Sequence, residues 1–179
     1  LAFGGAWLPG AGADHQRALL GLAEVGSIGV HLCDESEGRV GLGPAGSLRA
    51  SYRLTRADAR KLAFGIARAA EIHFAAGAVE VYPNVAPVGR LRREDLPAFE
   101  ARAFRAAELR LEAFHPMGTA RIDPDPRRGV CGPDGSVHGT PGLYVADASL
   151  FPASVGVNPM MTVIAFAKRV ARGLAAAGA

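Results

Sequence analysis

Only two cysteines, Cys33 and Cys131, occur in the 179 residues, too few for a disulfide framework and without a Cys-x-x-Cys metal knuckle. They fit a reduced cytoplasmic compartment as well as a single bridge. Lysine is almost absent, with Lys61 and Lys168 set against 18 arginines. The net charge of +3 and pI near 9.2 therefore come from arginine. With 35 alanines, 23 glycines and 12 prolines, this balance reflects high-GC codon usage and says little about partners. Aromatics make up 7% of the chain, and the cluster Arg90, Arg92 and Arg93 is neutralised at once by Glu94 and Asp95. A nucleic-acid face needs a longer unneutralised stripe with interleaved aromatics, so none is expected. No run approaches the roughly 20 apolar residues of a membrane span. The chain opens on Leu1 with no basic-then-apolar leader, so no signal peptide is expected. There is no Gly-x-Ser-x-Gly elbow for a serine hydrolase. Gly10-Ala-Gly12 fails as a dinucleotide loop, because His15 holds the third glycine position and no strand precedes it.

What is present is globular in composition, 49% apolar and 21% charged. The length suits one ordinary domain or two interlocked pieces of a larger one. Residues 1–26 read as a loop around a short helix at 14–22 and carry the single tryptophan, Trp7. Residues 28–33, 39–42 and 48–54 read as short strands of an antiparallel meander, parted by turn formers. Leu48, Ala50, Tyr52 and Leu54 alternate with Arg49, Ser51 and Arg53, which predicts a half-buried strand with one solvated face. Thr55 and Asp58 open a long helix that Gly77 stops. A strand at 79–82 and a helix from Asp95 to about Leu111 follow. From 115 to 143 the chain is rich in Gly, Pro and Asp and reads as a long loop or a set of tight turns, usually functional at this length. Residues 143–146 read as a short buried strand ending at Asp147. Asn158-Pro159 then caps and opens a last amphipathic helix, from about 160 to 175.

The chemistry-bearing candidates concentrate in this last third. The helix start at Asn158 places unpaired N–H groups at one point, ready for an anionic or electron-rich group, although Asn158 as a plain cap explains the same residue. Asp147 at a strand end is either ligand-facing or bonded to turn amides. His115, at the junction between helix and irregular loop, suits a partly desolvated general base or a fixed structural imidazole. His15, His31 and His73 read as structural or solvated. His115, His138 and Cys131 match no zinc spacing, and Asp123, Asp125 and Asp134 serve equally as turn formers, so no metal is expected.

Four motifs occur in a fixed order: His115-Pro-Met-Gly-Thr-Ala-Arg121, Val137-His-Gly139, Leu143-Tyr-Val-Ala-Asp-Ala-Ser149 and Asn158-Pro-Met-Met-Thr162. The series resembles the C-terminal half of the glucose–methanol–choline (GMC) oxidoreductases. Residues 28–81 are more loosely similar to the substrate-domain region of the same family. The resemblance implies an α+β and α/β fold: a substrate domain with an antiparallel sheet and helices over residues 1–113, then a catalytic loop and the returning strand and helix of a Rossmann-like FAD-binding domain over 114–179. It implies an FAD-dependent oxidation of an alcohol to a carbonyl. His115 matches the active-site histidine, and Asn158 its partner, where the family carries histidine or asparagine. Asp147 and Ala148 match the segment nearing the flavin ribityl and pyrophosphate, while Asn158, Pro159 and Met160 match the helix start beneath the flavin ring. The partners expected are a small-molecule alcohol and an N-terminal FAD-binding half, whose dinucleotide fingerprint this sequence lacks. The alternative is a non-catalytic remnant or subunit that binds an apolar ligand or a partner chain.

Overall fold

The computed structural model describes Leu8 and residues 10–177; Trp7 lies outside the described residues. The chain divides into two units, one of residues 1–32 with 53–111 and the other of 33–52 with 112–179.

The first unit is organised by the 20-residue helix Arg56–Ala75. Its start is the expected one: Asp58 N donates to Thr55 Oγ1 at 3.1 Å, and Thr55 Oγ1 donates to Asp58 Oδ2 at 3.0 Å. Asp58 is fully buried, and Lys61 Nζ donates to its Oδ1 at 3.1 Å. The other end is equally local. Gly77 takes φ +97°, and Ala78 N and Gly77 N donate back to the carbonyls of His73 and Phe74. That pair of bonds satisfies the last-turn acceptors and needs a left-handed residue, which glycine supplies without strain. Calling the short helix Ala13–Leu20 α1, this long helix is α2.

Three expectations fail in this unit. Residues 28–33 form no strand among the described residues; Val30 and Leu32 instead pack on the α2 core through their side chains. The crossing depends on Gly65, where an added Cβ would lie 2.5 Å from Val30 Cγ1. Residues 79–82 contribute one antiparallel bridge, Val81 to Leu91. The helix expected from Asp95 to Leu111 is the six-residue α3, Leu96–Ala101. Phe99 and Phe104 are both buried, with ring centroids 4.9 Å apart. Five residues apart on a helix they would point about 140° from one another, so the chain leaves the helix to bring both into one core.

In the second unit β1, Gly38–Leu42, pairs antiparallel with β2, Leu48–Tyr52, in the register Val40 to Ala50. The hairpin is found where expected, but β2 ends at Tyr52 and every residue of both strands is exposed, so neither face is the half-buried one anticipated. Alternation records which side is apolar and not whether anything in the chain covers it. Between residues 112 and 159, backbone bonds between tight turns take the place of long regular elements. The core of this unit is Cys131, Leu150, Phe151 and Val170, and helix α4, Met160–Ala177, packs Val163, Phe166 and Val170 onto it. Phe166 meets Phe151 edge to face at 5.1 Å. Residues 143–146 hold a single bridge, Tyr144 to Ser136, in place of the expected strand, and Leu143 and Ala146 are exposed. Cys33 and Cys131 are both free. No described helix is long and apolar enough to cross a membrane.

Candidate active site

The turn-rich stretch is pinned to the segment after Asp147 by backbone. Ala120 N donates to Ser149 O at 3.0 Å, and Ile122 N to Leu150 O at 2.9 Å. Gly118 sits between them and His115 with φ +83°, and an added Cβ would come within 3.2 Å of Phe151 O. The loop can lie this close only because position 118 has no side chain. Asp147 fixes the other side of this seam. Its Oδ1 accepts from Ser149 N at 2.8 Å and from Ser149 Oγ at 2.5 Å, capping the 3₁₀ turn Ala148–Leu150. The turn-forming reading of Asp147 is thus seen in its bonds, and the side chain is exposed.

This seam and the start of α4 border an open cleft of about 340 Å³, lined by Phe114, His115, Pro116, Ala148, Pro159, Met160, Val163 and Ile164. The cleft brings together His115, Ala148, Pro159 and Met160, whose positions are 45 residues apart at the extremes. Asn158 immediately precedes the lining and is not part of it; it is exposed. The expected cap is displaced by one residue. α4 begins at Met160, and its first acceptor carbonyl is that of buried Pro159, which receives Val163 N at 2.8 Å. The amides of Met160, Met161 and Thr162 precede that first bond and have no intrahelical acceptor to reach. They carry the positive end of an 18-residue helix to the edge of the cleft. His115 lines the cleft and is exposed rather than partly desolvated.

Sequence reasoning assigned no role to Phe114, Pro116, Val163 or Ile164. The signal for the last two is helical spacing, because positions three and four after Met160 return to its face.

The other polar residues of the stretch hold turns. His138 Nε2 lies 2.9 Å from Asp123 O. Asp125 accepts from Arg127 N and Asp134 from Ser136 N, and each carboxyl is held below its ordinary value chiefly by hydrogen bonds from those same partners, Arg127 and Ser136. Burial pushes the Cys131 thiol up. Among the described residues no cluster of three His, Cys, Asp or Glu side chains is placed to hold a metal.

The small antiparallel pair with helices, the histidine loop and the opening of the last helix carry the four motifs in one order. The model of the GMC oxidoreductase family matches residues 34–167, and the chain belongs to that family. An uncharacterised GMC-type oxidoreductase of Mycobacterium tuberculosis (strain ATCC 25618 / H37Rv) is 32% identical over 165 residues, covering 91% of this chain and 26% of the relative. A long-chain-alcohol oxidase of Arabidopsis thaliana is 29% identical over 85% of this chain and 21% of its own length. A C-glycoside 3-oxidase of Microbacterium trichothecenolyticum is 41% identical over 64 residues, 35% of this chain and 12% of the relative. The chain thus spans about a quarter of the length of the first of these.

Proposed function

We propose that this chain is the substrate-binding and catalytic part of an FAD-dependent enzyme that oxidises a CH–OH group to a carbonyl. The observation that carries the reading is the shared cleft of His115 and the first turn of α4. The residues suit the ring end of FAD: an open cleft of mostly apolar lining, with three amides without intrahelical partners and a helix dipole at its edge for the electron-rich pyrimidine end. Ala148, Pro159 and Met160 would hold the ring, with Asp147 and Asn158 alongside. FAD, when bound, supplies the acceptor for the hydride that leaves the carbinol carbon.

The chain's own part is proton handling and orientation. A neutral imidazole at His115 accepts the hydroxyl proton as the carbonyl forms, a contribution of roughly a hundred- to ten-thousandfold. The exposed carboxamide of Asn158 donates a hydrogen bond to the oxygen as it gains charge, without competing for that proton. The dipole of α4 favours negative charge at its N-terminus.

The complement of these residues in this reading is an N-terminal, Rossmann-like FAD-binding half. Exposed apolar side chains support such a complement. Met160, Met161, Ile164 and Leu174 on α4, and Leu42 and Leu48 on the hairpin, stand in solvent, as surfaces that meet another part of a protein do. One of the relatives is named for a long-chain alcohol and another for a C-glycoside, so names leave the substrate open. The test is retention of flavin. The 179 residues, mixed with FAD and desalted, are expected to lose its absorbance, and the full-length polypeptide to keep it in equimolar ratio. Loss from both contradicts the proposal.

A further inference from the structure

We propose that Asp147 is a positioning residue for His115: its carboxylate fixes the turn to which the histidine loop is bonded, and so sets where the imidazole stands against Ala148. The proposal deepens the alcohol-oxidation reading above and rests on it. Asp147 Oδ1 accepts from Ser149 N at 2.8 Å and from Ser149 Oγ at 2.5 Å. Both polar hydrogens of Ser149 thus go to one oxygen, while its carbonyl accepts from Ala120 N at 3.0 Å. Leu150 repeats the link, since its amide donates to Asp147 O at 3.2 Å and its carbonyl accepts from Ile122 N at 2.9 Å. Each bond of the seam starts from a residue held by Asp147 and ends on the loop that carries His115.

The far side of this turn is fixed by packing, because Leu150 and Phe151 are buried. Its near side is not: Ala148 and Ser149 are half-buried and Asp147 is exposed, so the carboxylate does there what the core does for Leu150. Ala148, the next residue in the chain, lines the cleft together with His115. Gly118, between His115 and Ala120, passes Phe151 O too closely for a side chain. A turn loosened at Asp147 therefore moves the Ala148 wall and the carbonyl that holds Ala120 together. A shift of about 1 Å at a reacting group costs up to roughly a hundredfold in rate. Holding the two donors of Ser149 takes an acceptor oxygen, which asparagine also presents in an Asx turn. A role for the charge itself, as in a direct hold on a ligand, does not survive that change.

The test uses the full-length polypeptide that carries the chain and reads single-turnover flavin reduction, with whichever of octan-1-ol and glycerol bleaches the flavin. Asp147→Ala is expected to slow reduction at least about tenfold per bound flavin, and Asp147→Asn to recover most of the rate. In a His115→Ala background Asp147→Ala is expected to cost less than about twofold, because the group it positions is gone. Hydrogen exchange at the Ala120 and Ile122 amides is expected to rise about tenfold in Asp147→Ala, as for a lost cap, while the amides of α2 keep their protection. An equal loss with and without His115, no rescue by asparagine, or unchanged exchange at Ala120 overturns the inference while leaving alcohol oxidation standing. If neither alcohol bleaches the flavin, the oxidation reading fails and the imidazole itself decides. The His115 Cε1–H resonance, in protein labelled at histidine, is then expected to shift in Asp147→Ala and not in Asp147→Asn. A resonance that moves in neither variant, or in both alike, overturns the inference.

Discussion

The two units are held together by different means. Around α2 the first unit buries Leu62, Ala67, Ala70 and Phe74 against Leu91, Phe99 and Leu109, residues far apart in sequence. The second unit keeps a smaller core and fixes its long loop with backbone bonds, such as Ala120 to Ser149, and with carboxylates that cap their own turns. Packing tolerates no lost volume, whereas a bonded loop tolerates change except where backbone approaches backbone. The cleft lies in the second kind of structure. A turn-rich stretch can present His115 at an open edge, which a helix face packed into a core cannot.

This contrast is broken most severely by Phe74→Ala. Phe74 is 2% exposed, and Arg93 both donates to its carbonyl and lies over its ring at 5.5 Å. A loss of about 3–5 kcal/mol in unfolding free energy is expected by denaturant titration. Next comes His115→Ala in the full-length flavoprotein, expected to lower turnover at least about a hundredfold with flavin still bound and the thermal midpoint unchanged, since the residue is exposed. Wild-type turnover there would place the base elsewhere. Gly118→Ala sharpens the comparison from the other side. A left-handed φ of +83° and a Cβ 3.2 Å from Phe151 O make it costly, about 1–3 kcal/mol, in a region with no large core to disturb.

The smallest effect is on pH. Hydrogen bonds from Ser136 hold the Asp134 carboxyl below its ordinary value of 3.8. A depressed folded value means that its contribution is complete above about 3.8 and is lost as pH falls through the lower, folded value. The Ser136 amide proton shift is expected to stay flat from about pH 7 to 5 and to move only below about pH 4. Asp134→Asn removes that titration.

How much of this was legible depended on range. The Thr55 cap and the Gly77 stop were read correctly because their bonds span three to five residues. The early end of α3 was not, since it is dictated by Phe99 meeting Phe104, a tertiary contact. Residues 28–33 have the composition of a strand, but their fate was decided by the groove at Gly65, 35 positions after Val30. In the cleft, His115 and the opening of α4 were visible as motifs. Phe114 and Ile164 were hidden because an apolar residue beside a motif reads as core until exposure is known.

The account depends most on His115 and Asn158 acting on one substrate oxygen. A double-mutant cycle on single-turnover flavin reduction, with His115→Ala, Asn158→Ala and the pair in the full-length protein, tests this directly. The account predicts that the double variant loses less than the product of the two single losses, by at least about tenfold, as for residues that share a partner. Losses that simply multiply would mean that the imidazole and the carboxamide work on separate things, and would contradict it.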